Sequence, residues 1–211
     1  MKNIIIYFII FSSILFSQDQ LFVGTRPLGM GGAFVAVADD GNTITWNPAG
    51  LPRLRRKEFT SSYADLYAMD ITHSYTGIVW PFGDRVAIGF DWSNVGFDDQ
   101  ELNYSDNKLN FSVGYQPFKL LSIGGTFKYI SRDMGLDGTS YGKSTGIGYD
   151  LGFLISPHKK LRLGLSLYDL GGTNVTYKQN KVDVYKTQSK LIITFVSLSI
   201  FKSFKKFSKV S

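Results

Sequence analysis

Gly146-Ile147-Gly148-Tyr149-Asp150-Leu151-Gly152-Phe153-Leu154-Ile155 alternates without a slip, with Ile147, Tyr149, Leu151, Phe153 and Ile155 on one side and Gly146, Gly148, Asp150, Gly152 and Leu154 on the other. A period of two marks a strand. The glycines mark its kind. Gly weakens a strand interior, and on a solvated face Thr, Lys or Glu serves better, but Gly suits a face that another segment approaches closely.

The same division holds outward from this stretch. One face carries Val86, Ile88, Phe90, Trp92, then Leu109, Phe111, Val113, Tyr115, then Leu121, Ile123, Phe127, Tyr129, and finally Leu161, Leu163, Leu165, Leu167. The other carries Gly89, Gly114, Gly124 and Gly164 among Ser, Thr and Asn, with the charged Asp91, Lys128, Asp150 and Arg162. A soluble sandwich turns its bulky face inward, and a membrane barrel turns it outward to lipid. The connections favour the barrel. Short links at Pro81-Phe82-Gly83-Asp84, Pro117-Phe118-Lys119 and Pro157-His158-Lys159-Lys160 alternate with long polar ones from Asn94 to Asn107, from Ser131 to Ser144 and from Asp169 on. Antiparallel succession puts all short links on one rim and all long ones on the other, as in an outer-membrane barrel. Aromatics gather at both rims, with Trp80, Phe82, Tyr115 and Phe118 at the short-turn end and Trp92, Phe97 and Tyr129 toward the loops.

Two weaker strands precede these, about Glu58 to Tyr67 and Ile71 to Trp80, which makes seven; an eighth is expected around Val175 to Lys186. The expected fold is therefore all-β, a partial antiparallel transmembrane β-barrel of seven to eight strands.

Composition narrows the rest. The 211 residues are 44% apolar and 15% aromatic, too rich for a disordered chain. With no Cys and two His, disulfide scaffolds, thiolate metal sites, iron–sulfur clusters and cysteine nucleophiles are excluded, and no cofactor or metal is expected. The net charge of +6 sits in Lys2 and the five lysines from Lys190 to Lys209, so the body is neutral and no nucleic-acid face is expected. Met1-Lys2-Asn3, an apolar run from Ile4 to Phe16 and Ser17-Gln18-Asp19 follow the order of a secretory signal, too short to span a bilayer. The chain divides into a signal over 1–17, a glycine-rich segment over 18–56, strands over 57–189 and an atypical tail over 190–211.

The segment between signal and strands reads Gly24-Thr25-Arg26-Pro27-Leu28-Gly29-Met30-Gly31-Gly32-Ala33-Phe34, then Asp39-Asp40, then Asn47-Pro48-Ala49-Gly50-Leu51. It is small, apolar and unable to form a core alone. Asp39 or Asp40 can cap a short helical turn ending at Trp46, which Pro48 breaks, while Gly29, Gly31 and Gly32 can let backbone pack against the glycine face of the strands.

This segment resembles the amino terminus of the FadL and PorV outer-membrane superfamily, and the strands resemble its PorV and PorQ branch more loosely. The resemblance implies a hatch folded into the barrel, with Arg26, Gly29, Gly31, Gly32, Asp39, Asp40, Asn47, Pro48, Ala49 and Gly50 as gating candidates. It implies location in the bacterial outer membrane, lipid as partner and no catalysis. The function it implies is passive movement of hydrophobic small molecules past the hatch. Its PorV-like alternative is cargo handling or anchoring with components of type IX secretion. A secreted soluble glycan-binding β-sandwich is the third reading. Seven or eight strands fall short of the superfamily's usual fourteen, and the tail lacks a terminal aromatic, so a truncated member is expected.

Other motifs carry less. Gly138-Thr139-Ser140-Tyr141-Gly142 fits a nucleophile elbow, but Ser140 is expected in a loop with no helix after it and His158 in a turn at the opposite rim, on the order of 25 Å away. Asp98, Asp99, Glu101 and Asp106 lack the glycine and spacing of a calcium loop. Asp91, Lys128, Asp150 and Arg162 are expected to face the lumen and pair there.

Overall fold

The computed structural model describes residues 24–66, 69–99, 102–136, 139–158, 161–170, 173–177, 185–187 and 190–197. The expected signal lies outside them. Ten strands form one sheet: β1 Glu58–Leu66, β2 Ile71–Phe82, β3 Val86–Asp98, β4 Leu102–Phe118, β5 Leu121–Leu136, β6 Thr139–His158, β7 Leu161–Tyr168, β8 Thr173–Tyr177, β9 Tyr185–Thr187 and β10 Lys190–Ser197. Neighbours run antiparallel in the order β1-β2-β3-β4-β5-β6-β7-β10, with β8 beside β6 and β9 beside β8. Among the described residues β1 and β10 each have a single neighbour, so the sheet is an open half-barrel. The soluble sandwich is overturned, because there is one sheet and its bulky side chains stand on the outside.

The outward face is a set of cross-strand rows. Phe90 opposes Phe111, Phe111 opposes Phe127 and Phe127 opposes Tyr149, and these rings remain 42 to 53% exposed. Phe127 and Tyr149 meet edge-to-face at 5.7 Å, a favoured aromatic geometry. Trp80, Phe82, Tyr115 and Phe118 stand exposed at the short-turn end, with Trp92 and Tyr129 farther up. Phe97 differs: it shares the parity of Asp91 and is half-buried, because a period of two fixes its face regardless of its height.

The long polar connections are corrected. Residues 94–107 continue β3 and β4 in register as far as Asp98 opposite Asn103, and 131–144 continue β5 and β6 as far as Leu136 opposite Thr139. Hydrogen-bonded hairpin arms replace loops, since polar side chains on an outward face end the apolar band without ending the ladder. At the other rim the ladder shifts register between Tyr115 and Phe118 and between Ile155 and His158. Each interval holds a proline, Pro117 or Pro157, which has no N–H to give.

The eighth strand is also relocated. β8 extends the course of β7 along the upper part of β6, Gly146 opposing Val175. β9 and β10 then return, with Leu191 opposite Leu167 and Ser197 opposite Leu161. Residues 190–197, placed by the sequence in the tail, are thus sheet. Their run Leu191-Ile192-Ile193 shows no alternation, so periodicity alone could not find them.

Candidate functional site

The segment 24–57 lies against the inward face of the sheet and shares two buried clusters with it. Two short helices, α1 (Thr25–Gly29) and α2 (Thr43–Trp46), precede a 3-10 helix over Pro48–Arg53. Phe34, Val35, Ala36, Val37, Ala38, Trp46 and Ala49 pack with Leu154 of β6. Ile44, Leu51 and Leu54 pack with Val79 and Ala87. Phe34 and Trp46 meet nearly perpendicular at 6.1 Å. Burial of such side chains contributes about 1.5–3 kcal/mol each, and neither partner could bury them alone.

The seat is a row of glycines running across the strands. Gly114 opposes Gly124, and Gly124 opposes Gly152. A Cβ on Gly124 would stand 2.3 Å from the Pro48 carbonyl carbon and 2.5 Å from the Ala49 nitrogen. One on Gly152 would meet Asn47 Oδ1 at 2.1 Å, and one on Gly114 would meet Pro52 Cδ at 2.6 Å. One row away Gly89 receives Ile44, and Gly164 receives the Val35–Ala36 backbone. The bulk missing from the wall is filled by Asn47-Pro48-Ala49.

Polar bonds lock the seat. Asn47 Oδ1 accepts from Ala49 N at 3.1 Å, capping the 3-10 helix, while its Nδ2 donates to Val35 O at 2.8 Å and Phe153 O at 3.2 Å. The carbonyl of Trp46 accepts from Ser166 Oγ at 3.0 Å and from the Tyr168 hydroxyl. Ser112 Oγ donates to Ile44 O at 3.5 Å, and Tyr75 OH donates to Gly41 O at 3.3 Å. Tyr75, Ser112, Ser166 and Tyr168 were missed by the sequence analysis; only their inward parity marked them.

Arg26 donates through Nη1 to Asp39 at 2.7 Å and to Asp40 at 2.6 Å. Partial burial by itself disfavours the cation, yet these two carboxylates outweigh it and raise the Arg26 pKa. Asp40 also accepts from Asn42 N at 2.9 Å, tightening the turn into α2. Asp39 instead faces Arg162, 4.0 Å away, whose Nη1 donates to Val37 O at 3.2 Å. Arg53 reaches Ser156 Oγ at 3.1 Å; burial, with Arg162 nearby, lowers its pKa to about 10.

The packing expected of Gly29 and Gly31 against the strand glycines is corrected. A Cβ on Gly29 or Gly31 would meet nothing within 4 Å. Gly31 and Gly32 serve the turn instead, at φ of 60° and 77°, where other residues are strained. Gly50 does approach closely, but to Ala38 O within the segment.

Of the charged inward residues, Lys128 lies 2.8 Å from Asp150 and also pairs with Asp169. Asp169, missed by the sequence analysis, sits at φ 53° where β7 gives way to β8, and its N–H donates to Asp150 at 2.8 Å. Asp91 is fully buried and held by neutral donors, Asn110 Nδ2 at 2.7 Å and Thr45 Oγ1 at 3.1 Å. Higher on the wall Asp106 pairs with Arg132 at 3.1 Å and Lys108 at 3.7 Å, apart from the exposed Asp98 and Asp99. No acid and histidine group able to hold a metal exists among the described residues.

Ser140 lies on the upper arm of β6 rather than in a loop, with His158 at the far end of that same strand. At about 3.3 Å per residue the two are more than 50 Å apart, twice the distance expected. The elbow pattern therefore assembles nothing. A cleft of about 700 Å³ at the hairpin tips, lined by Asp70, Thr72, Asp98, Tyr104, Ser105 and Asp133, shares no residue with the seat of the segment 24–57.

Neither a family model nor a curated protein matches the sequence. Among solved structures the fold is similar to the CymD monoaromatic hydrocarbon channel, at a TM-score of 0.59 and 16% identity, over 85% of this chain and 61% of that one. The likeness supports a FadL-like barrel fold, and the chain spans less than two thirds of that channel's length.

Proposed function

We propose that this chain belongs to an outer-membrane barrel of FadL type that lets small hydrophobic molecules pass a hatch, with no chemical step. The observation that carries the reading is the seating of 24–57: a separate segment, attached to the wall through a glycine row and a few polar bonds, occupies the inside of a lipid-facing sheet. The likeness to a hydrocarbon channel supports hydrophobic small molecules as the permeant class. A wall without side-chain bulk lets the hatch move without unthreading interlocked residues.

The absence of cysteine from the sequence makes a direct test available. The Gly89 Cβ position lies 2.6 Å from Ile44 Cγ1, so Ile44→Cys with Gly89→Cys puts two thiols in contact across the seat. In vesicles carrying the full-length protein, the bridge is expected to stop uptake of toluene, and reductant to restore it. Equal uptake in both states would refute gating by this segment.

The dense bonding of Asn47 and Trp46 favours a second reading, a fixed plug in a barrel that serves PorV-like secretion or anchoring. Uptake indifferent to the bridge, together with a secretion defect on deletion, would favour it.

A further inference from the structure

Charge on the two ends of the sheet is opposite in sign. At the short-turn end Arg55, Arg56, Lys57, Arg85 and Lys119 are exposed, with Asp84 as the exposed acid among the described residues there. At the hairpin tips the exposed charges among the described residues are Asp65, Asp70, Asp98, Asp99 and Asp133, with Lys143 as the base. Two of the rim bases have carboxylate partners, Arg55 with Asp84 at 2.9 Å and Arg56 with Glu58 at 3.6 Å.

The bases share their level with exposed aromatics. Lys57 Nζ lies 3.4 Å from the centre of the Trp80 ring; Phe82 precedes the turn that holds Arg85, and Phe118 adjoins Lys119. Aromatic rings of this kind settle at the boundary between acyl chains and headgroups. We infer that the short-turn rim is a binding surface for anionic phospholipid headgroups, the cations meeting headgroup phosphates while the aromatics hold the depth. The bases are spread along the rim from β1 to β5 rather than gathered in one patch. That spacing fits separate lipids better than one acidic protein. The inference rests on the membrane-barrel reading but not on transport.

The test uses the full-length protein in detergent micelles doped with phosphatidylglycerol or with phosphatidylethanolamine of the same acyl chains, reading bound lipid by native mass spectrometry and the unfolding midpoint by circular dichroism. Expected is an enrichment of about fivefold or more for phosphatidylglycerol, with a raised midpoint that vanishes at about 1 M salt, where the screening length is about 3 Å. Inorganic phosphate is expected to leave the midpoint unchanged. Combined Arg85→Gln and Lys119→Gln, which alter only turn positions, are expected to keep the lipid-free midpoint and lose most of the enrichment. Equal retention of the two lipids overturns the inference, as does salt-sensitive binding of polyglutamate without lipid preference. A chain that inserts into neither lipid overturns the membrane reading itself, a separate outcome.

Discussion

Gly124 and Gly125 are adjacent and opposite in consequence. A Cβ on Gly124 collides with hatch backbone, whereas one on Gly125 meets Asp150 O and Leu151 Cδ2 at an ordinary 3.7 Å. Gly124→Ala is therefore expected to destabilise by about 1–3 kcal/mol, the cost of overpacking. Gly125→Ala should be neutral or slightly stabilising, since it removes chain entropy without a clash. Urea unfolding of both variants in the same detergent checks the contrast. The sequence announced the inward parity of Gly124 and the outward parity of Gly125. It could not announce that Gly114, Gly124 and Gly152 share one row, because register between strands is set by hairpin geometry.

Among elements, the break between β7 and β8 shows what alternation leaves out. The chain turns there at Asp169, and Lys128 of β5 holds both Asp169 and Asp150 of β6. Lys128→Met would leave two buried carboxylates without their cation and is expected to cost about 3–5 kcal/mol. Adding Asp150→Asn and Asp169→Asn should recover most of the loss in the same thermal measurement, whereas no recovery would mean that Lys128 acts through packing alone. The strands β3 to β7 were legible because one face is bulky and the other small, and β1 and β2 only weakly because small polar residues dilute their pattern. The hairpin arms and β10 were not, because the first are polar and the second is a continuous apolar run, and of the eighth strand only the part near Val175 was placed. The segment 24–57 stood apart in the sequence as small, apolar and unable to form a core alone, but its wall partners did not, since Ser112, Ser166 and Tyr168 are common strand residues whose role comes from what docks on them.

For the whole molecule, everything follows from which side of the sheet is wet, oily or filled. Trp80 and Trp92 project outward, 42% and 39% exposed, whereas Trp46 is buried in the hatch at 1%. In vesicles of brominated lipid, single-tryptophan variants retaining Trp80 or Trp92 should lose most of their fluorescence, and one retaining Trp46 should keep it. Quenching of Trp46 with sparing of the other two would invert the arrangement.

Hydrogen bonds from Asn47 to Phe153 and from Arg162 to Val37 join residues separated by 106 and 125 positions. The segment 24–57 precedes all of its wall along the chain, and its landing place is complete only when β6 and β7 have joined the sheet. Contacts so distant along the chain form slowly. Phe34, Trp46 and Leu51 therefore stay unhoused until the far strands join the sheet, so a segment that precedes its wall along the chain is among the last to come to rest.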